Sequence, residues 1–112
     1  MSLQFSDLAT QALVVRDHYN ELQKTDGHKL WNVQDRTAGF VGDIGDLSKL
    51  VMAKHGLRRG PDDVDEALAH ELSDCLWSIM VIADELNIDL EAAFTKTMTE
   101  LHARIEKEKA EA

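Results

Sequence analysis

Residues 75–83 of this 112-residue chain read Cys75-Leu76-Trp77-Ser78-Ile79-Met80-Val81-Ile82-Ala83, and Ser78 is their only polar side chain. The run is about half as long as the roughly 20 residues that span a bilayer, so it predicts a buried helix and no transmembrane segment. Nearly every face of such a helix is hydrophobic, and a single small bundle cannot bury all of it. We expect a lone bundle to leave Trp77, Met80 or Val81 partly exposed, and therefore predict a homodimer or tetramer.

On either side of this run, apolar residues recur with the period of an α-helix, and the chain has only one Pro. The pattern predicts four helices and no sheet. Their approximate bounds are 6–24, 33–55, 63–86 and 90 onward, and the second helix could instead begin at 37. The predicted fold is all-α, a four-helix-type bundle forming one domain over residues 1–112. Its charged end, about 106–112, is expected to fray. The predicted inner stripe of the fourth helix is Leu90, Phe94, Met98, Leu101 and Ile105.

The charge and cysteine content narrow the classes of partner. The formal net charge is −9, and the only adjacent basic pair is Arg58-Arg59, so a surface that grips a nucleic-acid polymer is not expected. Cys75 is the single cysteine, which excludes an internal disulfide and fits a reducing cytoplasm. No basic and apolar leader opens the chain, which predicts a cytoplasmic protein without a membrane anchor.

Two acidic pairs, Asp43-Ile44-Gly45-Asp46 and Glu71-Leu72-Ser73-Asp74, lie inside the second and third predicted helices. The i, i+3 spacing places both acids of a pair on one helix face, about one turn apart. Two such helices side by side would gather four carboxylates, whose repulsion Mg²⁺ or Mn²⁺ would relieve. The alternative is four solvated acids. Gly42 and Gly45 favour the metal site, because each costs a helix about 1 kcal/mol unless another helix or a ligand approaches closely.

On a helical wheel at about 100° per residue, the second and third helices each show an apolar arc with the two acids along one border. The predicted inward arcs are Phe40, Ile44, Leu47 and Val51 in the second helix, and Leu68, Leu72, Cys75, Ile79 and Leu86 in the third. The acids lie along the same border of each arc. Carboxylates at such a border can reach a shared site between helices, as in metal sites inside helix bundles.

Together with their neighbours, these motifs resemble those of the MazG-type all-α nucleotide pyrophosphohydrolases, which have Glu-x-x-Glu on one helix and Glu-x-x-Asp on the next. The similar stretches are residues 41–47 and 70–77, and the likeness continues through residues 88–94 and Lys96. The resemblance implies a bundle of the nucleoside triphosphate pyrophosphatase kind, completed by oligomerisation. It also implies Mg²⁺ held by four acids: Asp43, Asp46, Glu71 and Asp74.

The activity implied by the resemblance is hydrolysis of a nucleoside or deoxynucleoside triphosphate to the monophosphate and pyrophosphate. Water activated by the metal would attack the α-phosphorus, with Asp43 or Glu71 as the candidate catalytic base. Candidate substrate-binding residues are Trp31, whose ring can stack on a nucleobase or pack in the core, Lys49, which follows Asp46 by three residues, and Lys96, which matches the family.

The chain also departs from the family pattern. Asp43 and Asp46 stand where the family usually has Glu, Gly42 stands where many members have another acid, and Glu100 stands near the place of an Asn. An alternative is therefore a non-catalytic helical dimer that binds nucleotide, metal or a protein partner. Hydrolysis of a related phosphoribosyl compound is a second alternative.

Overall fold

The computed structural model describes residues 2–112 and contains four helices: α1 (Phe5–Thr25), α2 (Val33–Lys54), α3 (Val64–Glu85) and α4 (Leu90–Glu111). The predicted all-α class and the four helices are confirmed, and no strand occurs in the described range. Three of the helices begin at a side-chain cap, where Asn32, Asp63 and Asp89 accept hydrogen bonds from backbone N–H groups. None of the four has the length and apolar character that a membrane crossing requires.

Helix α3 lies at the centre and packs against both α1 and α2. Helices α2 and α3 run antiparallel, since ion pairs join their opposite ends: Lys54 to Asp65 at 2.6 Å and Arg36 to Glu85 at 2.7 Å. The central cluster on the α1 side is Ala12, Met80 and Val81. Of the three residues named in the prediction, only Trp77 is partly exposed. Met80 and Val81 are buried because α1 covers them, and Val81 is completely buried.

The predicted inward arcs of α2 and α3 are only partly correct. Phe40, Leu47, Leu68 and Cys75 are buried or half-buried, whereas Ile44, Val51, Leu72, Ile79 and Leu86 are exposed. The two helices are rotated so that the acids, and not these apolar residues, face the seam between them. Exposed apolar residues on both helices border the buried part of the seam, and we call them the outer apolar flank: Val41, Ile44, Val51, Leu72, Leu76 and Ile79.

Helix α4 buries none of its residues. Phe94, Met98, Leu101 and Ile105 of the predicted inner stripe are exposed, because nothing within residues 2–112 packs over them. The charged end, which we expected to fray, is helical to Glu111. Pairs between neighbouring turns support it: Arg104 with Glu108 and Lys109 with Glu106.

Candidate metal and ligand site

The predicted acids meet at the seam between α2 and α3. One carboxylate oxygen from each of Asp43, Asp46 and Glu71 lies within 4.8 Å of the others. Asp43 and Glu71 are half-buried, and Asp46 is exposed. Within residues 2–112 none of these three side chains has a hydrogen-bond or ion-pair partner, and Glu71 Oε1 is buried without one. We call these three residues the acid cluster. A buried, unpaired carboxylate oxygen is costly, and a cation would relieve that cost.

The electrostatics agree with this geometry. Burial raises the pKa of Asp43, and the charges of Asp74 and Asp46 raise it further. Burial also raises the pKa of Glu71, with added repulsion from Asp43, Asp74 and Asp46. Both carboxyl groups therefore resist ionisation in the metal-free protein. An all-oxygen, negatively charged donor set suits Mg²⁺ or Mn²⁺, so the residues present fit the predicted ion.

Asp74, the fourth predicted ligand, is not part of the acid cluster. Its Oδ2 lies 3.2 Å from Nε2 of His70, one turn earlier on α3. Its charge nevertheless helps to raise the pKa values of Asp43, Glu71 and the buried Cys75 thiol. Burial is the largest cause of the raised pKa in all three groups. Asp74 therefore adds to the field of the site and lies at its edge.

The two glycines of α2 do not have the surroundings we expected. A Cβ atom added at Gly42 or Gly45 would have no neighbour within 4 Å. The expectation of close approach by another helix is therefore wrong within one chain. The structure gives no packing reason for glycine at either position.

Beside the acid cluster lies a cavity of about 540 Å³ between α1, α2 and α3. We call it the aromatic cavity, and its lining residues are Val15, Tyr19, Gln23, Trp31, Arg36, Asp43, Ser73, Asp74 and Trp77. The Trp31 ring lies against Gly39, where an added Cβ would sit 2.9 Å from Cζ3. Any other residue at Gly39 would displace that ring. Trp31 and Asp43 therefore line the same cavity, and stacking of Trp31 on a base stays a prediction.

Trp77 packs against α1 and also lines this cavity. Its Nε1–H donates to the carbonyl of Ala12 at 2.9 Å, and its ring meets that of Tyr19 edge-on with centroids 5.7 Å apart. Tyr19 was not among the predicted site residues. Sequence spacing gave no sign of its place at the site, because the contact joins residues far apart in the chain.

Arg36 is a site residue that we did not predict. Its side chain is buried, its Nε lies 2.7 Å from Glu85 Oε1, and a terminal nitrogen donates to Asn20 Oδ1 at 3.1 Å. The Nε contact is an ion pair without hydrogen-bond geometry, since that N–H has no aligned acceptor. Arg36 precedes Asp43 by two turns on α2, and this spacing is the one signal that could have placed it on the same face.

The two predicted lysines are placed differently. Lys49 lines a second cavity of about 270 Å³ that Asp46 and Glu71 also line, and its role in binding phosphate stays a prediction. Lys96 is exposed on α4, 4.0 Å from Glu100, and lines neither cavity. One chain therefore does not bring Lys96 to the acid cluster.

The substitution Asp43→Asn should stabilise the metal-free protein at neutral pH by on the order of 1 kcal/mol, because it removes one repelling charge. The pKa of Asp43 is higher in the folded than in the unfolded protein, so protonation of Asp43 stabilises the folded state. This stabilisation is complete below the unfolded-state pKa and is lost as pH rises through the folded-state pKa. The difference in the free energy of unfolding between the variant and the wild type should therefore increase from acid to neutral pH. Urea unfolding in a chelator, at several pH values from acid to neutral, measures this difference.

A difference that is constant or decreases as pH rises would contradict this prediction. The matched control is Asp62→Asn, an exposed acid in the loop between α2 and α3. It should change the free energy of unfolding by less than about 0.5 kcal/mol at every pH.

Comparison with known proteins gives no identification. No family model, curated protein or solved structure matches this chain.

Proposed function

We propose that this chain is a divalent-cation-dependent pyrophosphohydrolase of the MazG-like kind, which hydrolyses a nucleoside or deoxynucleoside triphosphate to the monophosphate and pyrophosphate. The observation that carries the proposal is the acid cluster, with its buried, unpartnered Glu71 oxygen, at the edge of an aromatic cavity. Such a combination suits a ligand with a flat apolar end and a polyanionic end that arrives with metal.

In this proposal Asp43, Asp46 and Glu71 hold Mg²⁺, or Mn²⁺ in its place, with Asp74 at the edge of the site. When bound, the ion offsets phosphate charge and lowers the pKa of a coordinated water. Trp31 and Tyr19 offer ring faces to the base. Asp43 or Glu71, whichever is not fully committed to the ion, accepts the proton of the water that attacks the α-phosphorus.

We also propose that the bundle is completed by a second copy of the chain. The accessible surface is 8635 Å², whereas a compact monomer of 12.6 kDa is expected to expose about 6,200 Å². The radius of gyration is 17.8 Å, against about 13 Å for a compact domain of this length. The exposed residues include large apolar side chains of the outer apolar flank and of the α4 stripe. A partner could also supply Lys96 to the acid cluster.

The second candidate is a non-catalytic helical dimer that binds nucleotide or metal. The position of Asp74, paired with His70 and outside the acid cluster, favours this alternative, because it leaves three carboxylates where the family pattern has four. Under this alternative the same residues bind the same ligands without turnover.

The test is an assay of the purified chain with Mg²⁺ or Mn²⁺ against the common ribonucleoside and deoxynucleoside triphosphates and a phosphoribosyl compound. Release of pyrophosphate and monophosphate from a triphosphate supports the pyrophosphohydrolase. Cleavage of the phosphoribosyl compound alone would replace the proposed substrate. A melting temperature that rises with metal and nucleotide, with no product formed, would support the binding protein instead.

A further inference from the structure

The second cavity beside the acid cluster has a different lining from the aromatic one. Its wall includes Lys49 from α2 and Arg58 and Arg59 from the loop between α2 and α3, together with Asp46 and Glu71. We call it the basic cavity. Asp43 lines the aromatic cavity, whereas Asp46 and Glu71 line the basic one. The acid cluster therefore lies between a cavity with aromatic walls and a cavity with cationic walls.

The cations of the basic cavity have no partner of their own. Lys49, Arg58 and Arg59 have no carboxylate within 4.0 Å anywhere in residues 2–112, although the nearby Lys54 pairs with Asp65 at 2.6 Å. Their local concentration is unusual in a chain with net charge −9. The same cavity is therefore lined by three cations and two carboxylates that all lack partners. A polyanion with a bound metal ion would satisfy both sets, because its oxygens would pair with the cations and its metal ion with the carboxylates.

The loop that carries the two arginines is held against α2. The backbone of Gly60 packs so closely on α2 that an added Cβ would lie 2.6 Å from Cβ of Ala53. Leu57 N–H, one residue before Arg58, donates to the carbonyl of Met52 at 2.9 Å. These contacts fix the backbone on both sides of Arg58 and Arg59, so the arginines belong to a wall of defined position.

We propose that the basic cavity binds a diphosphate group together with its metal ion: the β- and γ-phosphates of the substrate, and inorganic pyrophosphate after cleavage. The orientation of the substrate rests on the proposed function, with the base in the aromatic cavity and the α-phosphate at the acid cluster. Arg58 and Arg59 supply forked donors that match phosphate oxygens, and Lys49 supplies a point charge. The cavity has a volume of about 270 Å³, so it has room for several waters or a small anion.

The assignment is tested by titrating inorganic pyrophosphate with excess Mg²⁺ into the full chain in a calorimeter. Wild type should bind. The double variant Arg58→Gln with Arg59→Gln should bind at least about tenfold more weakly, because charge-assisted hydrogen bonds to phosphate are the strong ones. Lys49→Gln, on the rigid α2, is the second variant and should also weaken binding if the loop variant does not fold. The charge-matched control is Lys107→Gln with Lys109→Gln, at the far end of α4, which should bind as wild type does.

Equal pyrophosphate affinity in wild type and both cavity variants, or no binding by wild type, would overturn the assignment. The proposed function fails separately. If wild type binds pyrophosphate through these residues but releases none from any triphosphate, the cavity assignment stands and the pyrophosphohydrolase does not. If triphosphates are cleaved and the cavity variants keep the wild-type KM and pyrophosphate affinity, only the cavity assignment is wrong.

Discussion

Replacing Glu71 with Gln is expected to lower pyrophosphate release from the preferred triphosphate by about a thousand-fold, the equivalent of about 4 kcal/mol of transition-state stabilisation. Glu71 is the only member of the acid cluster with a buried oxygen that nothing else satisfies. The amide has nearly the same shape but lacks the charge that a metal ion requires. The effect should fall on kcat and on the Mg²⁺ concentration needed for half-maximal rate, measured by a continuous pyrophosphate assay.

The matched control is Glu66→Gln, which makes the same change on the same helix at an exposed position outside the acid cluster. It should keep activity within about twofold, as expected for a surface substitution. Helical circular dichroism should be the same for both variants and wild type. Near-normal turnover by a folded Glu71→Gln protein would contradict the role of Glu71 and with it the metal-dependent mechanism.

The helices could be predicted from the sequence because their signals are local. The caps Asn32, Asp63 and Asp89 lie at the predicted starts, and α1, α3 and α2 (with its earlier predicted start, 33) agree with the predicted bounds within about two residues. The end of α4 is the exception, because it is helical to Glu111 where fraying was expected. The meeting of Asp43, Asp46 and Glu71 was also predictable, because i, i+3 spacing on two neighbouring helices limits where the carboxylates can lie. That inference required only that α2 and α3 pack side by side.

The rotation of each helix in the bundle was not predictable. A hydrophobic stripe predicts which residues avoid water, but it does not say whether the chain itself or a partner covers them. Met80 and Val81 are covered by α1, whereas Ile44 and Leu72 are left exposed. The contacts that complete the cavities, such as Arg36 with Glu85 and Trp77 with Ala12, join residues far apart in sequence. No pattern within one helix encodes them.

The substitution Leu76→Asp should convert the proposed dimer into a monomer. Leu76 lies in the outer apolar flank and is 46% exposed. In a protein that stays monomeric the change should cost about 1 to 2 kcal/mol, from the poorer helix propensity of Asp and the loss of partial apolar burial, and should leave the mass unchanged. If a second copy covers this flank, the new carboxylate is buried without a partner. The cost of several kcal/mol should raise the dissociation constant by more than about a hundred-fold. Light scattering after size exclusion should then give 12.6 kDa in place of about twice that mass.

Leu3→Asp is the appropriate control for this substitution, because Leu3 is more exposed, at 66%, and lies before α1, outside the flank. It should retain the wild-type mass. A wild type that is monomeric at high protein concentration, or a Leu76→Asp protein with an unchanged mass, would rule out the outer apolar flank as the contact between copies. If instead the variant is a monomer that also loses activity while the acid cluster is intact, the site requires the second chain, which is the condition under which Lys96 of a neighbour could reach the phosphates.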